Sequence, residues 1–354
     1  MGSHPIKILK DLITNFKIKE SKSLFYIAEN TDWIINRMGQ DITENIKSLQ
    51  LLQAHTTTTT WGLKKQIIHF GSLPTFFAQK KIGKPHPSNK IIVSCFHLIP
   101  HDLTLKKLRK AAAYIDFFHT SCHSTKEELL KLGVPASRIV TIPLGINLHL
   151  FRPISTSQKP KLRKALGLPQ KQLIIGSFQK DGIGWGQGLK PKLIKGPDIF
   201  LQVANALKKY KPFILLTGPS RGYVKQGLKK ANIPYAHFYL KNYVDLRRMY
   251  NALDLYLITS RLEGGPASLL EAWASGIPTI STTVGMVPDI TENEKNILLA
   301  APGNVSKIVN QIEKIMKNKN LQTIIVKNAI AEVQKYSWEN IVKRYYQELY
   351  AKLI

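Results

Sequence analysis

Residues 259–289 read TSRLEGGPASLLEAWASGIPTISTTVGMVPD, and no other stretch constrains the chain as much. A run with the pattern of a buried strand, LDLYLITS at 253–260, leads into it, and a second, PTISTT at 278–283, closes it. Between them stand Glu263, the turn Gly264-Gly265-Pro266 and a helical run that carries Glu271, eight positions after the first carboxylate. Strand, glycine turn, helix and strand in that order form a phosphate-binding arrangement. Glycine lets backbone N–H groups approach a ligand, and the helix that follows turns its positive end toward an anion. Pro266 suits the first helical position, where its missing N–H costs nothing. Glu263 then stands at the mouth of the site and Glu271 on the second helical turn.

The same alternation runs through the chain. Strand patterns at 23–28, 66–72, 90–97, 116–121 and 138–145 are separated by helical ones at 33–49, 103–115 and 124–133, after a basic N-terminal helix at 5–20. It restarts with strands at 173–178, 213–218, 237–240, 253–259, 278–283 and 296–300. Alternating strands and helices specify parallel β-α-β units, here in two sets. The segment FRPISTSQKPKLRKALGLP (151–169), rich in Pro, Ser and Lys, reads as the linker between them. We therefore expect an α/β protein with domains at 1–155 and 156–335 and a last amphipathic helix in 336–354. TTTTT at 56–60 reads as a loop or a β-segment.

With 354 residues, 44% of them hydrophobic, the chain is long enough for two cores. No run approaches the roughly 20 apolar residues of a membrane-spanning helix. The first residues show neither an apolar signal core nor a myristoylation pattern, since position 6 is Ile. Two cysteines, Cys95 and Cys122, make neither a disulfide framework nor a metal knot and read as buried thiols. A cytoplasmic protein is expected. The net charge of +28 reflects either a Lys-rich composition or an anionic partner. Its distribution favours a basic face, because residues 51–115 hold ten Lys or Arg and a single acid, Asp102. SLPTFFAQKKIGK (72–84) and LTLKKLRK (103–110) mix apolar and basic residues as peripheral membrane surfaces do.

The pair Glu263 and Glu271, preceded by Ser260-Arg261 and followed by EAWASGIPTISTTVGMVPDI, resembles the retaining, metal-independent glycosyltransferases of family 4 (group 1). Other pieces follow in that family's order: IPLGINLHLFRP (142–153), LIIGSFQKDG with Lys195-Gly196, and SWENIVKRYYQEL near the end. The resemblance spans about residues 90–350. It implies the GT-B fold, two Rossmann-like domains facing across a cleft, with the acceptor on the first and the donor on the second. The terminal helix returns to the first.

The resemblance also implies roles. Glu271 accepts hydrogen bonds from the ribose hydroxyls, for which a carboxylate offers two acceptor oxygens. Glu263 faces the hydroxyls of the donor sugar. Backbone N–H groups at Gly265, Ser268, Leu269 and Leu270, beside Gly264, meet sugar and phosphate. Lys195 neutralises the leaving diphosphate, whose charge grows in the transition state. No metal and no cofactor is then needed, and the sequence has no Asp-x-Asp motif. His97, at the end of the strand IIVSCFH, reaches the cleft near the reacting sugar, where ligands of such sheets sit. The nucleotide base sits against the turn YLKN, at Leu240 and Lys241.

Two positions depart from the family. Ser177 stands where an arginine is usual, so a second cation comes from elsewhere: Lys180, or Lys190 or Lys192. Asp289 stands where Glu is common. The first β-α loop, AENTDW (28–33), lacks the family's glycines, and Asp32 is its one candidate acceptor contact.

The expected function is sugar transfer from a UDP- or GDP-sugar to a glycan or lipid-linked acceptor, in bacterial surface polysaccharide or glycolipid assembly. It includes electrostatic attachment to the inner face of an anionic membrane. A sugar-nucleotide epimerase on the same fold would need no acceptor. A basic nucleic-acid-binding protein with a vestigial donor cleft would need aromatic and basic residues interleaved on one surface. The phosphate-site motifs argue against it.

Overall fold

A computed structural model describes residues 5–17, 22–29, 34–78, 84–99 and 102–354. Asp32 lies outside the described residues, as do Lys80 and Lys81 of the basic stretch. The chain divides into two units, Met1–Leu144 with Trp338–Ile354, and Gly145–Ser337.

The first unit is built on β1 (Leu24–Ile27), β2 (Ala54–Thr57), β3 (Ile67–Phe70), β4 (Lys90–Ser94), β5 (Phe117–Thr120) and β6 (Ile139–Thr141). All pairings are parallel, in the order β2-β1-β3-β4-β5-β6. Covered on both faces, β1 is apolar along its whole length, LFYI, rather than alternating. Each such side chain contributes about 1.5–3 kcal/mol of burial. The Thr run is part strand, since β2 takes Thr56 and Thr57.

A buried polar chain ties the returning C-terminal segment to this sheet. His119 Nε2 lies 3.0 Å from the Ile142 carbonyl, which only accepts, so this nitrogen carries the proton. Nδ1 of His119 must then accept, 2.8 Å from Ser94 Oγ, and the serine donates to it. Ser94 Oγ in turn accepts from His69 Nε2 at 2.8 Å. His69 Nδ1 is left to accept from Tyr350 Oη at 2.8 Å. Tyr345 Oη also approaches His119 Nε2, at 2.9 Å. β3, β4 and β5 are thus linked to Tyr345 and Tyr350 by a chain with one direction, in which both imidazoles are neutral. Burial holds both below the ordinary imidazole value, His119 at about 4. The helix Trp338–Glu348 packs on the helix Ile34–Ser48 of the same unit, as the terminal helix is expected to do.

The second unit contains β7 (Ile174–Phe178), β8 (Phe213–Thr217), β9 (Tyr235–Phe238), β10 (Leu255–Ile258), β11 (Thr279–Thr282) and β12 (Leu298–Ala300). The order is β12-β11-β10-β7-β8-β9, again all parallel. The chain starts in the middle, winds to one edge, and resumes on the other side of β7. Strand order reverses between β7 and β10, which is where open parallel sheets bind ligands.

The segment read as a linker belongs to this second unit, and the division falls after Leu144 rather than at 155. Two of its basic residues are drawn into the fold. Gln158–Ala165 is a helix whose Lys159 and Arg163 form ion pairs with Asp254, at 2.9 Å and 2.7 Å, and Arg163 Nε donates to the Ala252 carbonyl. Local composition resembled a linker because these partners lie some ninety positions away in sequence.

Candidate functional site

The carboxyl ends of β7 and β10 gather Lys195, Glu263 and Ser177. After β7 the chain makes a glycine-rich excursion and returns through a 3₁₀ turn, Leu193–Lys195, to Gly196. Gly196 has φ 63°, and a Cβ there would meet the Thr259 carbonyl oxygen at 1.9 Å, so only glycine fits. Thr259 Oγ1 donates back to the Gly196 carbonyl at 2.9 Å. This contact seats the loop directly on the end of β10 and points Lys195 at the segment that follows.

There Lys195 Nζ lies 2.6 Å from Glu263 Oε2. The other oxygen of Glu263 accepts from Ser260 Oγ at 2.7 Å. The carboxylate is buried, at 5% exposure, and the lysine keeps 16%. Taking these charges out of water is tolerable because each meets the other and Ser260 completes the set. Half-buried Lys192 has its ammonium value lowered by burial and then by the charges of Lys195 and Lys180. The three lysines therefore share one electrostatic neighbourhood. Lys180 Nζ rests on the ring of Trp185, 4.1 Å from its centroid.

The turn after Glu263 is held from the far side. Gly264 accepts at its carbonyl from Met286 N–H at 2.9 Å, and Gly285, with φ 53°, lies so close that a Cβ would be 2.3 Å from that oxygen. The helix runs Ala267–Ala274, so Pro266 caps it instead of filling its first position. The proline's φ of −71° suits either place, but its ψ of 97° is extended. Among the expected donors, Leu269 N–H is already bonded to the Pro266 carbonyl at 2.9 Å. Gly265 and Ser268 lie half-exposed on this turn, while Leu270 is buried beneath it. Asp289 sits in the short helix Val287–Ile290 just beyond.

Glu271 is buried on the second turn. Tyr250 Oη donates to its Oε2 at 2.7 Å, and Tyr243 Oη donates to Oε1. Burial raises its carboxyl above the ordinary range, and the two tyrosine bonds oppose that shift. Leu240 and Lys241 follow β9 on the edge of the sheet, at the same carboxyl end.

Ser177 is buried and bonded within the protein. Its carbonyl accepts from Arg221 Nη1 at 2.6 Å and its hydroxyl from Nη2 at 3.2 Å. Arg221 follows β8, the neighbour of β7, and also donates to the Thr217 carbonyl at 2.8 Å and to Asp181 Oδ1 at 3.0 Å. Asp181 Oδ2 is 3.0 Å from Nη2, close enough for an ion pair though off the hydrogen-bond direction. Burial raises Asp181 despite this cation. A guanidinium thus lies beside Ser177 after all, supplied by the adjacent strand, but it is fully buried and spent on protein groups. Its work is to pin the glycine-rich excursion. Ser220 Oγ adds bonds to the Gly184 and Gly186 carbonyls, both 3.0 Å.

Arg221, Ser260, Tyr243 and Tyr250 were not legible as site residues. The one available signal was GPSRG at 218–222, an arginine just past a strand end beside a glycine-rich loop. His97 belongs to the first unit. It is exposed, three residues beyond Ser94, where β4 ends, rather than in the strand itself. His119 is structural, bonded within the buried chain of the first unit. Among the described residues, no helix is long and apolar enough to cross a membrane.

Two doubly wound parallel sheets, with a basic loop and two carboxylates at the switch point of the second, are the GT-B architecture. The protein superposes on the crystal structure of Anabaena Alr3699/HepE in complex with UDP and glucose with a TM-score of 0.74, at 16% identity, over 93% of this chain and 99% of that one. Residues 189–332 match the family described as Glycosyl transferases group 1. The N,N'-diacetylbacillosaminyl-diphospho-undecaprenol alpha-1,3-N-acetylgalactosaminyltransferase of Campylobacter jejuni is 26% identical over 65% of this chain and 59% of its own. The O-antigen chain mannosyltransferase B of Escherichia coli is 22% identical over 96% and 93%. The chain spans 57% and 59% of the length of the first two curated relatives.

Proposed function

We propose that the protein is a retaining, metal-independent glycosyltransferase that moves a sugar from a nucleotide-diphosphate sugar to a glycan or lipid-linked acceptor. The observation that carries this reading is the Lys195–Glu263 pair at the switch point, with Glu271 two turns along the same segment. In the reaction, the bond between the anomeric carbon and the diphosphate oxygen breaks as the acceptor oxygen bonds to that carbon. The acceptor's proton leaves with the diphosphate. Lys195 supplies the fixed positive charge that the growing diphosphate charge requires, in a largely dry site. That is the task a metal ion would otherwise perform. Glu263 holds Lys195 in place and accepts from donor-sugar hydroxyls. Glu271 accepts from the ribose. His97 contacts the reacting sugar. A neighbour of this fold described with UDP and glucose, and a relative named for a diphospho-undecaprenol substrate, support the donor and acceptor classes.

The test is incubation with labelled UDP- and GDP-sugars and lipid-diphosphate acceptors in the presence of EDTA. Glycolipid with the donor's anomeric configuration is expected. Inversion, or loss of turnover with EDTA, would refute the retaining or the metal-independent part.

We also propose attachment to an anionic membrane through the first unit. Both mixed segments line one cavity of about 880 Å³, where Phe76, Phe77 and Lys84 face Lys107, Lys110 and Tyr114. Sedimentation with anionic but not neutral vesicles at low salt is expected, and equal recovery with both would contradict it.

A further inference from the structure

Each oxygen of Glu271 already accepts from a tyrosine hydroxyl. Tyr250 holds Oε2 at 2.7 Å and Tyr243 holds Oε1. The two tyrosines differ in their freedom to leave. Tyr250 is fully buried, its ring centroid 4.8 Å from that of Phe178 and 5.2 Å from that of Tyr256. Its withdrawal would open a ring-sized void in a close-packed core. Tyr243 is half-buried and starts a three-residue 3₁₀ turn, Tyr243–Asp245, between exposed Asn242 and Val244. Its ring meets Phe151 edge-on at 5.6 Å. One oxygen of this carboxylate therefore has a permanent donor and the other a removable one.

We propose that Tyr243 is the gate of the nucleoside subsite. In the empty protein its hydroxyl occupies the position on Glu271 Oε1 that a ribose hydroxyl takes in the complex, and nucleotide binding displaces it. The proposal rests on the reading of Glu271 as the ribose acceptor. Displacement has two consequences. The nucleotide competes with an internal hydrogen bond to a charged group, so its apparent affinity is lowered by the population of the closed state. Only a ligand that brings its own hydroxyl displaces Tyr243, and a sugar without hydroxyls binds with the tyrosine still on Glu271, so removing Tyr243 helps the first and not the second. A tyrosine that merely positioned Glu271 would act in the opposite direction, since its loss would weaken binding.

The experiment is calorimetric titration of wild type, Tyr243→Phe, Tyr243→Leu and Glu271→Ala with UDP, GDP and ADP, then with the 2′,3′-dideoxy form of the nucleotide that binds. Melting curves establish that each variant is folded. The gate predicts that both Tyr243 variants bind the ribonucleotide more tightly, by roughly five- to tenfold for Phe, with no gain on the dideoxy form. An unchanged or weaker ribonucleotide affinity, or an equal gain on both forms, overturns the gate while Glu271→Ala still abolishes binding. Should no nucleotide bind any folded variant, the donor-site reading falls and the gate falls with it.

Discussion

Lys195 and Glu263 are sixty-eight positions apart in sequence, yet their charged atoms lie 2.6 Å apart at the point where the second sheet reverses its strand order. Gly196 on Thr259 brings the first near β10, and Ser260 orients the second. The pair is the electrostatic centre of the site. Removing one member of a buried pair strands the other, at a cost of about 3–5 kcal/mol. Because Lys195 keeps some solvent, Lys195→Met is expected near the lower end of that range. The double variant Lys195→Met/Glu263→Gln should regain most of the lost stability in denaturant titration and none of the transferase activity. If activity returned with stability, the pair would be structural.

Arg221 predicts a different outcome at deeper burial. Arg221→Met leaves Asp181 charged and dry and releases the glycine-rich excursion, at a cost of about 3–5 kcal/mol. Limited proteolysis should then cut first between residues 182 and 191. Asp181→Asn is expected to be milder, because three bonds of Arg221 to Ser177 and Thr217 survive. Equal melting temperatures for wild type and Arg221→Met would contradict the pinning role.

Gly196→Ala is expected to damage function beyond its size. The left-handed backbone alone costs an alanine about 1–2 kcal/mol, and the added Cβ meets the Thr259 oxygen, so the loop must lift off β10. Turnover should fall by more than tenfold, with the fold retained by circular dichroism. Wild-type turnover in this variant would show that Lys195 needs no such seat.

The neutral imidazole chain makes the first unit sensitive to acid. The pKa of His119 falls from 6.5 unfolded to about 4 folded, so the folded state binds fewer protons in between. Its contribution is fully present above pH 6.5 and is lost as pH falls toward 4, at 1.36 kcal/mol per pH unit, about 3 kcal/mol in all. The stability advantage of wild type over His119→Gln should shrink by that amount across this window. The comparison cancels the opposite contribution of Asp41, whose carboxyl burial pushes up to about 6. An advantage constant from pH 7.5 to 4 would contradict the neutral, one-directional chain.

Much of this was legible because it is local. Strands buried on both faces show as unbroken apolar runs, so β1 and β10 were readable from LFYI and LYLI. The turn at 263–266 carried its own glycine and proline signals. What escaped depends on contacts distant in sequence. Arg221 is an ordinary loop arginine until β8 pairs with β7 and sets it beside Ser177 and Asp181. Tyr243 and Tyr250 look like a turn residue and a helix residue until the fold closes them on Glu271. The supposed linker failed for the same reason, since nothing near Arg163 foretells Asp254.

The most direct measurement is a thermal-shift comparison of wild type and Glu271→Ala with UDP, GDP, ADP and their sugars, in EDTA. A nucleotide at about 100 times its dissociation constant should stabilise the wild type by about 2.7 kcal/mol. The account predicts such a shift with one base, absent in the variant. A folded wild type that none of these ligands stabilises, or a variant stabilised equally, would contradict a nucleotide-sugar site built on Lys195, Glu263 and Glu271.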